Sequence, residues 1–263
     1  MSEARITHIG GPTTLIEAGG WRLLTDPTFD PPGHRYRFGW GTSSYKTAGP
    51  ALTPAELPPI DAVLLSHDHH GDNLDLAGRA LLASADTVLT TPSGARRLGG
   101  NARALAPWTT HRLEAPGRPA ITVTATPARH GPPLSRPFTG EVTGFALHWE
   151  GQRHGALWMS GDTVLYDGVR QVARRLDVGT ALMHLGGVRF PLTGPVRYTM
   201  TAAEGVELCR LLAPRTVIPV HYEGWHHFHE SRATMERHLA AAPEDIRDRF
   251  RLLPAGTGVD ITL

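Results

Sequence analysis

Short apolar runs alternate with Gly- and Pro-marked turns along this chain, and two hydrophobic periods can be followed through it. Residues 5–9 and 13–18 read as strands, and Gly19-Gly20 turns the second into a third strand, residues 21–25, closing on Asp26-Pro27. The apolar run 62–65 reads as a short buried strand, residues 76–83 as a helix and residues 87–91 as a strand ended by Pro92. Ser93 is the expected cap of a short helix through Arg97. Further strands are expected near 109–114 and 120–126, then a hairpin of residues 144–149 and 155–160. A helix over 166–176 precedes a strand over 180–184. Thr201 is placed to cap a helix running to Leu212, and residues 216–220 form a strand leading straight into His221. A helix over 232–241 and closing strands at 250–253 and 259–263 complete the pattern. Residues 28–58 have no clear period and predict a long irregular segment, a kind usually functional in compact domains. Its aromatic residues Phe29, Tyr36, Phe38, Trp40 and Tyr45 either line a pocket or plug the segment onto the core.

The two halves echo each other. Strand, Gly-containing turn and strand end in Leu-Leu-Thr-Asp26 in the first half and in Leu-Trp-Met-Ser-Gly-Asp162 in the second. That echo, with helices alternating around it, predicts a layered α/β sandwich with helices outside two sheets. Composition is compatible with this, because 40% of the 263 residues are hydrophobic and 19% charged, enough to bury a substantial core. The formal net charge is +1 and no basic block stands out, so nucleic-acid binding is not expected. Lys46 is the one lysine, which we attribute to genomic base composition. The single cysteine, Cys209, excludes an internal disulfide and a Cys-rich zinc site, and its place in a helical pattern predicts a buried, inert thiol. The N-terminal residues lack a signal-peptide pattern and no apolar run approaches membrane-spanning length, so the expectation is a cytoplasmic protein without a transmembrane segment. Oligomeric state is not legible in the sequence.

Chemistry concentrates after the strand at 62–65. Three histidines and three aspartates fall within nine residues, His67 to Asp75. A tight His/Asp loop on a rigid strand aims nitrogen and oxygen donors at one point, as a first-row divalent metal requires. His130, Asp162 and His221 also follow predicted strands, so ligands from separate strand ends can converge along one edge of the sandwich. His184 ends another strand and can face the same pocket. The histidines of the stretch Trp225-His226-His227-Phe228-His229 contribute substrate contacts, a replacement ligand or simply a polar loop, the last being the favoured reading. Arg189 and Arg197 either hold an anionic substrate group or are solvated, and solvation is favoured.

Six pieces occur in order: His8 with Thr13-Thr14-Leu15-Ile16-Glu17, Leu23-Leu24-Thr25-Asp26-Pro27, Ser66-His67-Asp68-His69, Thr126-Pro127-Ala128-Arg129-His130, Ser160-Gly161-Asp162-Thr163 and Ile218-Pro219-Val220-His221. Together they resemble the metallo-β-lactamase superfamily, and within it the branch of L-ascorbate-6-phosphate lactonase and N-acyl-phosphatidylethanolamine phospholipase D. The resemblance implies one domain over residues 1–263, a four-layer αββα sandwich with one or two divalent metal ions at its edge. Zinc is the expected metal, with manganese or iron(II) as alternatives. Carried over, His67, His69 and His130 match the first metal's ligands, Asp162 the bridging carboxylate, and Asp72 and His221 ligands of the second metal. His8 and Asp26 match supporting positions. The family loop reads His-x-His-x-Asp-His, whereas this chain reads His67-Asp68-His69-His70-Gly71-Asp72-Asn73. Anchoring on Ser66-His67 requires an inserted residue before Asp72. Anchoring on Asp72 puts Asp68 and His70 where the two histidines belong. In both registers Asn73 stands where the last histidine should, which weakens the second site, and His70 stays a candidate ligand beside His67 and His69. The implied activity is metal-dependent hydrolysis of an ester, lactone, amide or phosphodiester bond in a small-molecule substrate, with Asp72 as the catalytic group that orients the attacking water and takes its proton. The rival readings are a non-catalytic metal-binding member of the fold and an iron redox enzyme.

Overall fold

Two sheets lie face to face in the computed structural model, which describes residues 3–39 and 41–263. The chain begins with strands β1 (Glu3–Gly10), β2 (Thr13–Ala18), β3 (Trp21–Thr25), β4 (Arg35–Gly39), β5 (Thr42–Tyr45) and β6 (Ala62–Leu64). Helix α1 (Leu76–Leu81), β7 (Thr87–Thr90), α2 (Pro92–Leu98), β8 (Ala102–Ala104), β9 (Thr110–Leu113) and β10 (Ile121–Pro127) follow. Next come α3 (Arg136–Thr139), β11 (Thr143–Trp149), β12 (Ala156–Met159), α4 (Asp167–Arg175) and β13 (Val178–His184). The last elements are α5 (Ala202–Leu212), β14 (Thr216–Val220), α6 (Arg232–Ala240), α7 (Glu244–Arg247) and β15 (Gly258–Thr262).

The first sheet has the order β15-β1-β2-β3-β6-β7-β8 and the second β14-β13-β12-β11-β10-β9. The echo between the halves is architectural. In each sheet antiparallel strands (β1-β2-β3, then β10-β11-β12) hand over to parallel ones (β6-β7-β8, then β13-β14). Asp26 and Asp162 sit just beyond corresponding strands, β3 and β12.

Strand side chains alternate between two dry faces, which is why these strands read as apolar runs. Leu23, Leu64 and Leu89 from one sheet meet Phe145, Leu157, Leu182 and Ile218 from the other in a central core. Their neighbours Leu24, Val63 and Val88 point outward to Leu74 and Leu82 beside α1. Trp158, Ala181, Met183 and Val217 point the other way, to Val169, Val172, Leu208, Met235 and Ile246 of the second helical layer. The result is the expected four-layer αββα sandwich. Among the described residues no helix is long and apolar enough to cross a membrane.

The segment 28–58 differs from expectation, because β4 and β5 form a hairpin of their own. Its alternation is polar, with Phe38, Thr42 and Ser44 buried and most neighbours exposed, so the apolar pattern hid it. Of its aromatic residues, Phe29 packs into the outer core of the first sheet, Phe38 reaches the site, and Trp40 lies outside the described residues. Residues 250–253 form no strand, only a bridge between Phe250 and Val217, although Leu253 is buried in the central core. Thr91, not Ser93, caps α2: its Oγ1 accepts from Gly94 N at 3.0 Å, and Pro92 opens the helix, where its missing N–H costs nothing. Thr201 caps α5 as expected, with Glu204 closing a capping box.

Cys209 is fully buried on α5, and burial pushes its thiol up to about 11. Native protein at pH 8 is therefore expected to leave Cys209 unlabelled by an aromatic disulfide reagent over an hour, and to titrate one thiol in guanidinium. Rapid labelling of the native state would refute this burial.

Candidate metal centre

The bracket for the site is Asp26, where the chain leaves β3 with φ 29°, a strained value for a non-glycine residue. Its carboxylate accepts from Ser66 N (2.7 Å), Ser66 Oγ (2.8 Å) and Asn73 Nδ2 (3.1 Å), pinning both ends of the loop after β6. Burial, reinforced by the nearby Asp162 carboxylate, outweighs those donors and lifts Asp26 to about 8. Asn73 thus serves the bracket through its amide nitrogen, while its Oδ1 is buried without a partner.

Within the loop, Asn73 N and Leu74 N both donate to His70 O, at 3.2 and 2.9 Å. This turn puts His67 and His70 inside and Asp68 and His69 outside. His67 Nε2 lies 3.2 Å from His70 Nδ1, and His130 Nε2, arriving from beyond β10, lies 3.1 Å from the same atom. His130 Nδ1 donates to Tyr198 O at 2.8 Å, which leaves the lone pair of Nε2 facing the cluster. Burial, then His130, drives His70 down to about 3, and burial likewise holds His67 well below the usual imidazole range. The rings of His67, His70 and His130 bring nitrogen atoms within 4.8 Å of one another. His69 does not join them. Its exposed ring lies 3.3 Å from Arg97 Nη2, and Arg97 grips Asp68 with two bonds, Nε–Oδ2 at 2.9 Å and Nη2–Oδ1 at 2.5 Å. Asp68 is thereby withdrawn from the centre too.

A second group adjoins the first. Asp162, His184 and His221 also offer ligand atoms within 4.8 Å of one another, all fully buried. Asp162 is delivered through Gly161, where φ is +61° and a Cβ would stand 2.5 Å from Thr143 O, so only glycine fits. His184 Nδ1 bonds Asp162 Oδ1 at 2.9 Å and its ring stacks on His221, centroids 5.4 Å apart. His221 leaves β14 with φ 59°, its N donating to Gly11 O at 2.8 Å. Gly11 O is held in turn by His8 Nε2 at 3.0 Å, so His8 shapes the turn on which His221 rests. His221 Nε2 lies 3.4 Å from Asp72 Oδ2 and from Asp162 Oδ2. Burial disfavours its charge, yet those two carboxylates win and raise it to about 9. Asp72 and Asp162 stay below the usual carboxylate range, because the histidines around them outweigh burial. Asp72 Oδ2 is also 2.8 Å from His227 Nε2, whose Nδ1 meets Ser44 Oγ at 2.7 Å.

Several buried atoms here make no hydrogen bond, Asp72 Oδ1, Asp162 Oδ2, His184 Nε2 and both nitrogens of His221, although His221 Nε2 stays within ion-pair range of the two carboxylates. Buried polar atoms are nearly always satisfied, so a cluster of orphaned donors and acceptors marks a place for a missing group. Two carboxylates and five imidazoles are the donor set that divalent zinc, manganese or iron takes. His184 of this set, and His227, which holds Asp72 from behind, are the residues that sequence favoured less or left open. The signal for His227 was the histidine-rich stretch after His221, and for His184 its place at a strand end.

A cleft of about 310 Å³ opens over His70 and His130, walled by Phe38, Leu134, Phe190, Leu192 and Tyr198. Arg197 is paired with Glu204 at 3.0 Å, whereas Arg189 Nε is shielded from solvent without a partner.

Comparison with known proteins bears on the family and the fold. Residues 21–222 match the family described as beta-lactamase superfamily domain. A protein of Opitutus terrae named UPF0173 metal-dependent hydrolase is 29% identical over 235 residues, covering 83% of this chain and 84% of its own. A protein of the same name from Pelotomaculum thermopropionicum is 26% identical over 252 residues, covering 90% and 92%. Among solved structures, isothiocyanate hydrolase from Delia radicum gut bacteria superposes with a TM-score of 0.78 at 18% identity, covering 98% of this chain and all of that one. That last likeness is one of fold.

Proposed function

Because the chain belongs to the metallo-β-lactamase superfamily, we propose that it is a metal-dependent hydrolase acting on an ester, lactone, amide or phosphodiester bond of a small molecule. The observation that carries the reading is the pair of adjoining buried triads, His67/His70/His130 and Asp162/His184/His221, with Asp72 and its orphaned Oδ1 beside them. Relatives named as metal-dependent hydrolases support it.

His67, His70 and His130 would hold one ion. Asp162, His221 and His184 would hold a second, with Asp72 facing both His221 and His227. Zinc suits this donor set, and manganese or iron(II) are the alternatives. When bound, such ions polarise the oxygen of the scissile bond and bring the pKa of water down to about 7. The chain's own residues do the rest. Asp72, anchored by His227 through Oδ2, keeps Oδ1 free to orient the attacking water and accept its proton. Asp26, Ser66 and Asn73 fix the loop so that the imidazoles need not reorganise. Phe38 and Phe190 cover His227 and narrow the access of bulk water.

Protein purified without chelator is expected to carry about two equivalents of divalent metal, as two-ion hydrolases do. Chelation should lower hydrolysis of a broad ester, lactone and phosphodiester panel more than about a hundredfold, with recovery on adding metal. Elemental analysis and rates on that panel check this. Failure to take up metal after reconstitution would sink the reading.

A further inference from the structure

A second cavity, of about 450 Å³, lies on the far side of Phe190 from the cleft over His70 and His130. It is framed by the β4–β5 hairpin, the turn after β13 and the loop after β14. Two arginines, Arg35 and Arg189, and three histidines, His226, His227 and His229, line it, with no carboxylate among the described lining residues. Elsewhere ten arginines, Arg97, Arg118 and Arg197 among them, each meet an Asp or Glu among the described residues. Neither Arg35 nor Arg189 makes an ion pair among the described residues, and Arg189 Nε is buried with no hydrogen-bond partner. A shielded guanidinium N–H left open is the mark of an absent acceptor.

The hairpin is fixed against the opposite wall. His226 N donates to Tyr45 O at 3.1 Å, their rings stack at 4.7 Å, and Thr47 N donates to Gly224 O at 2.8 Å. Arg189 N donates to His227 O, so backbone also joins the turn after β13 to the loop after β14. His227 also lines this cavity, and its Nε2 is 2.8 Å from Asp72 Oδ2. One imidazole therefore separates the basic cavity from the metal centre.

We propose that this cavity is an oxyanion-binding subsite, taking a phosphate or carboxylate group through the Arg35 and Arg189 guanidiniums. A planar guanidinium offers paired donors that match either group. The ligand is the anionic part of the substrate, a refinement that rests on the hydrolase reading, or a free oxyanion of the same chemistry.

Titration calorimetry of the metal-loaded protein with inorganic phosphate tests the subsite. The wild type is expected to bind saturably, and Arg35→Gln/Arg189→Gln at least about tenfold more weakly with metal content unchanged. Arg35 is exposed, so Arg35→Gln alone, which leaves the packing intact, should show a severalfold loss. Equal affinity in both variants, or binding abolished by chelator alone, would place phosphate on the metal and overturn the proposal, as would the lack of saturable binding. Two esters with one leaving group, differing by a carboxylate on the acyl side, separate the sources. A drop of at least about tenfold in kcat/KM confined to the anionic ester assigns the subsite to substrate. Weaker phosphate binding with an unchanged ratio of the two rates assigns it to a free oxyanion. If neither ester is cleaved, the phosphate titration still decides the subsite while the hydrolase reading fails on its own.

Discussion

Replacing His70 with alanine is expected to empty the first metal position and lower hydrolysis more than about a hundredfold, beyond the 10–100-fold typical of merely supporting groups. Replacing His69 in the same way should leave metal content intact and the rate within about threefold. The contrast follows from the turn at His70 O, which sends the two adjacent rings to opposite sides of the loop. His70 Nδ1 lies within 3.2 Å of His67 Nε2 and 3.1 Å of His130 Nε2, so its removal opens a gap that neither neighbour can close. His69 instead lies against Arg97, whose positive charge opposes a cation at that ring. Metal analysis and rates of the two variants, measured together, decide which of the two rings completes the first triad. The reverse ranking would move the centre to the His67–His69 pair and would make the observed turn irrelevant to function.

That contrast also marks how far the sequence could be read. The strands that carry the site were legible because β12 and β14 are buried on both faces and appear as apolar runs, while β10 alternates apolar and threonine positions, with Asp162, His221 and His130 standing just past their ends. The resemblance to the superfamily covered both halves for the same reason: its motifs are strand ends. The loop was not legible, since His67-Asp68-His69-His70 satisfies two alignments and the fold takes neither whole, turning His67 of the one and His70 of the other inward. His227 was hidden for another reason. Its partner Asp72 is 155 residues away, and nothing local distinguishes it from His226 and His229, which face the basic cavity. Asn73 read as a weakened ligand because its position was compared with a histidine; in the fold its amide serves Asp26, and His184 lies where the second triad needs an imidazole. The β4–β5 hairpin escaped because it is held by Lys46–Trp225 pairing and by Phe38, contacts that no periodicity encodes.

The largest stability effect is expected from a substitution that helix propensity alone would call favourable. Gly78 lies in α1, where alanine is ordinarily preferred by about 1 kcal/mol. Here a Cβ would stand 1.9 Å from Pro27 O and 2.6 Å from Pro27 C, backbone atoms that cannot rotate away. Gly78→Ala must therefore push α1 from the segment beneath it, and overpacking of this kind costs about 3 kcal/mol. The helix is not free to yield. Asp75 Oδ1 accepts from Gly78 N at 2.8 Å, while its Oδ2 accepts from Asp30 N at 2.6 Å and Lys46 Nζ at 3.1 Å. Asp30 in turn accepts from Leu76 N and Ala77 N. Displacing α1 strains those bonds and, through Pro27, the Asp26 bracket that holds Ser66 and Asn73. We expect a fall of roughly 6–12 °C in Tm by calorimetry, with metal retained less tightly than in the wild type. An unchanged or raised Tm would mean that propensity prevails and that α1 does not seat against Pro27 as closely as the structure places it. A lowered Tm with metal affinity preserved would separate the helix seat from the Asp26 bracket and leave the loop after β6 self-supporting.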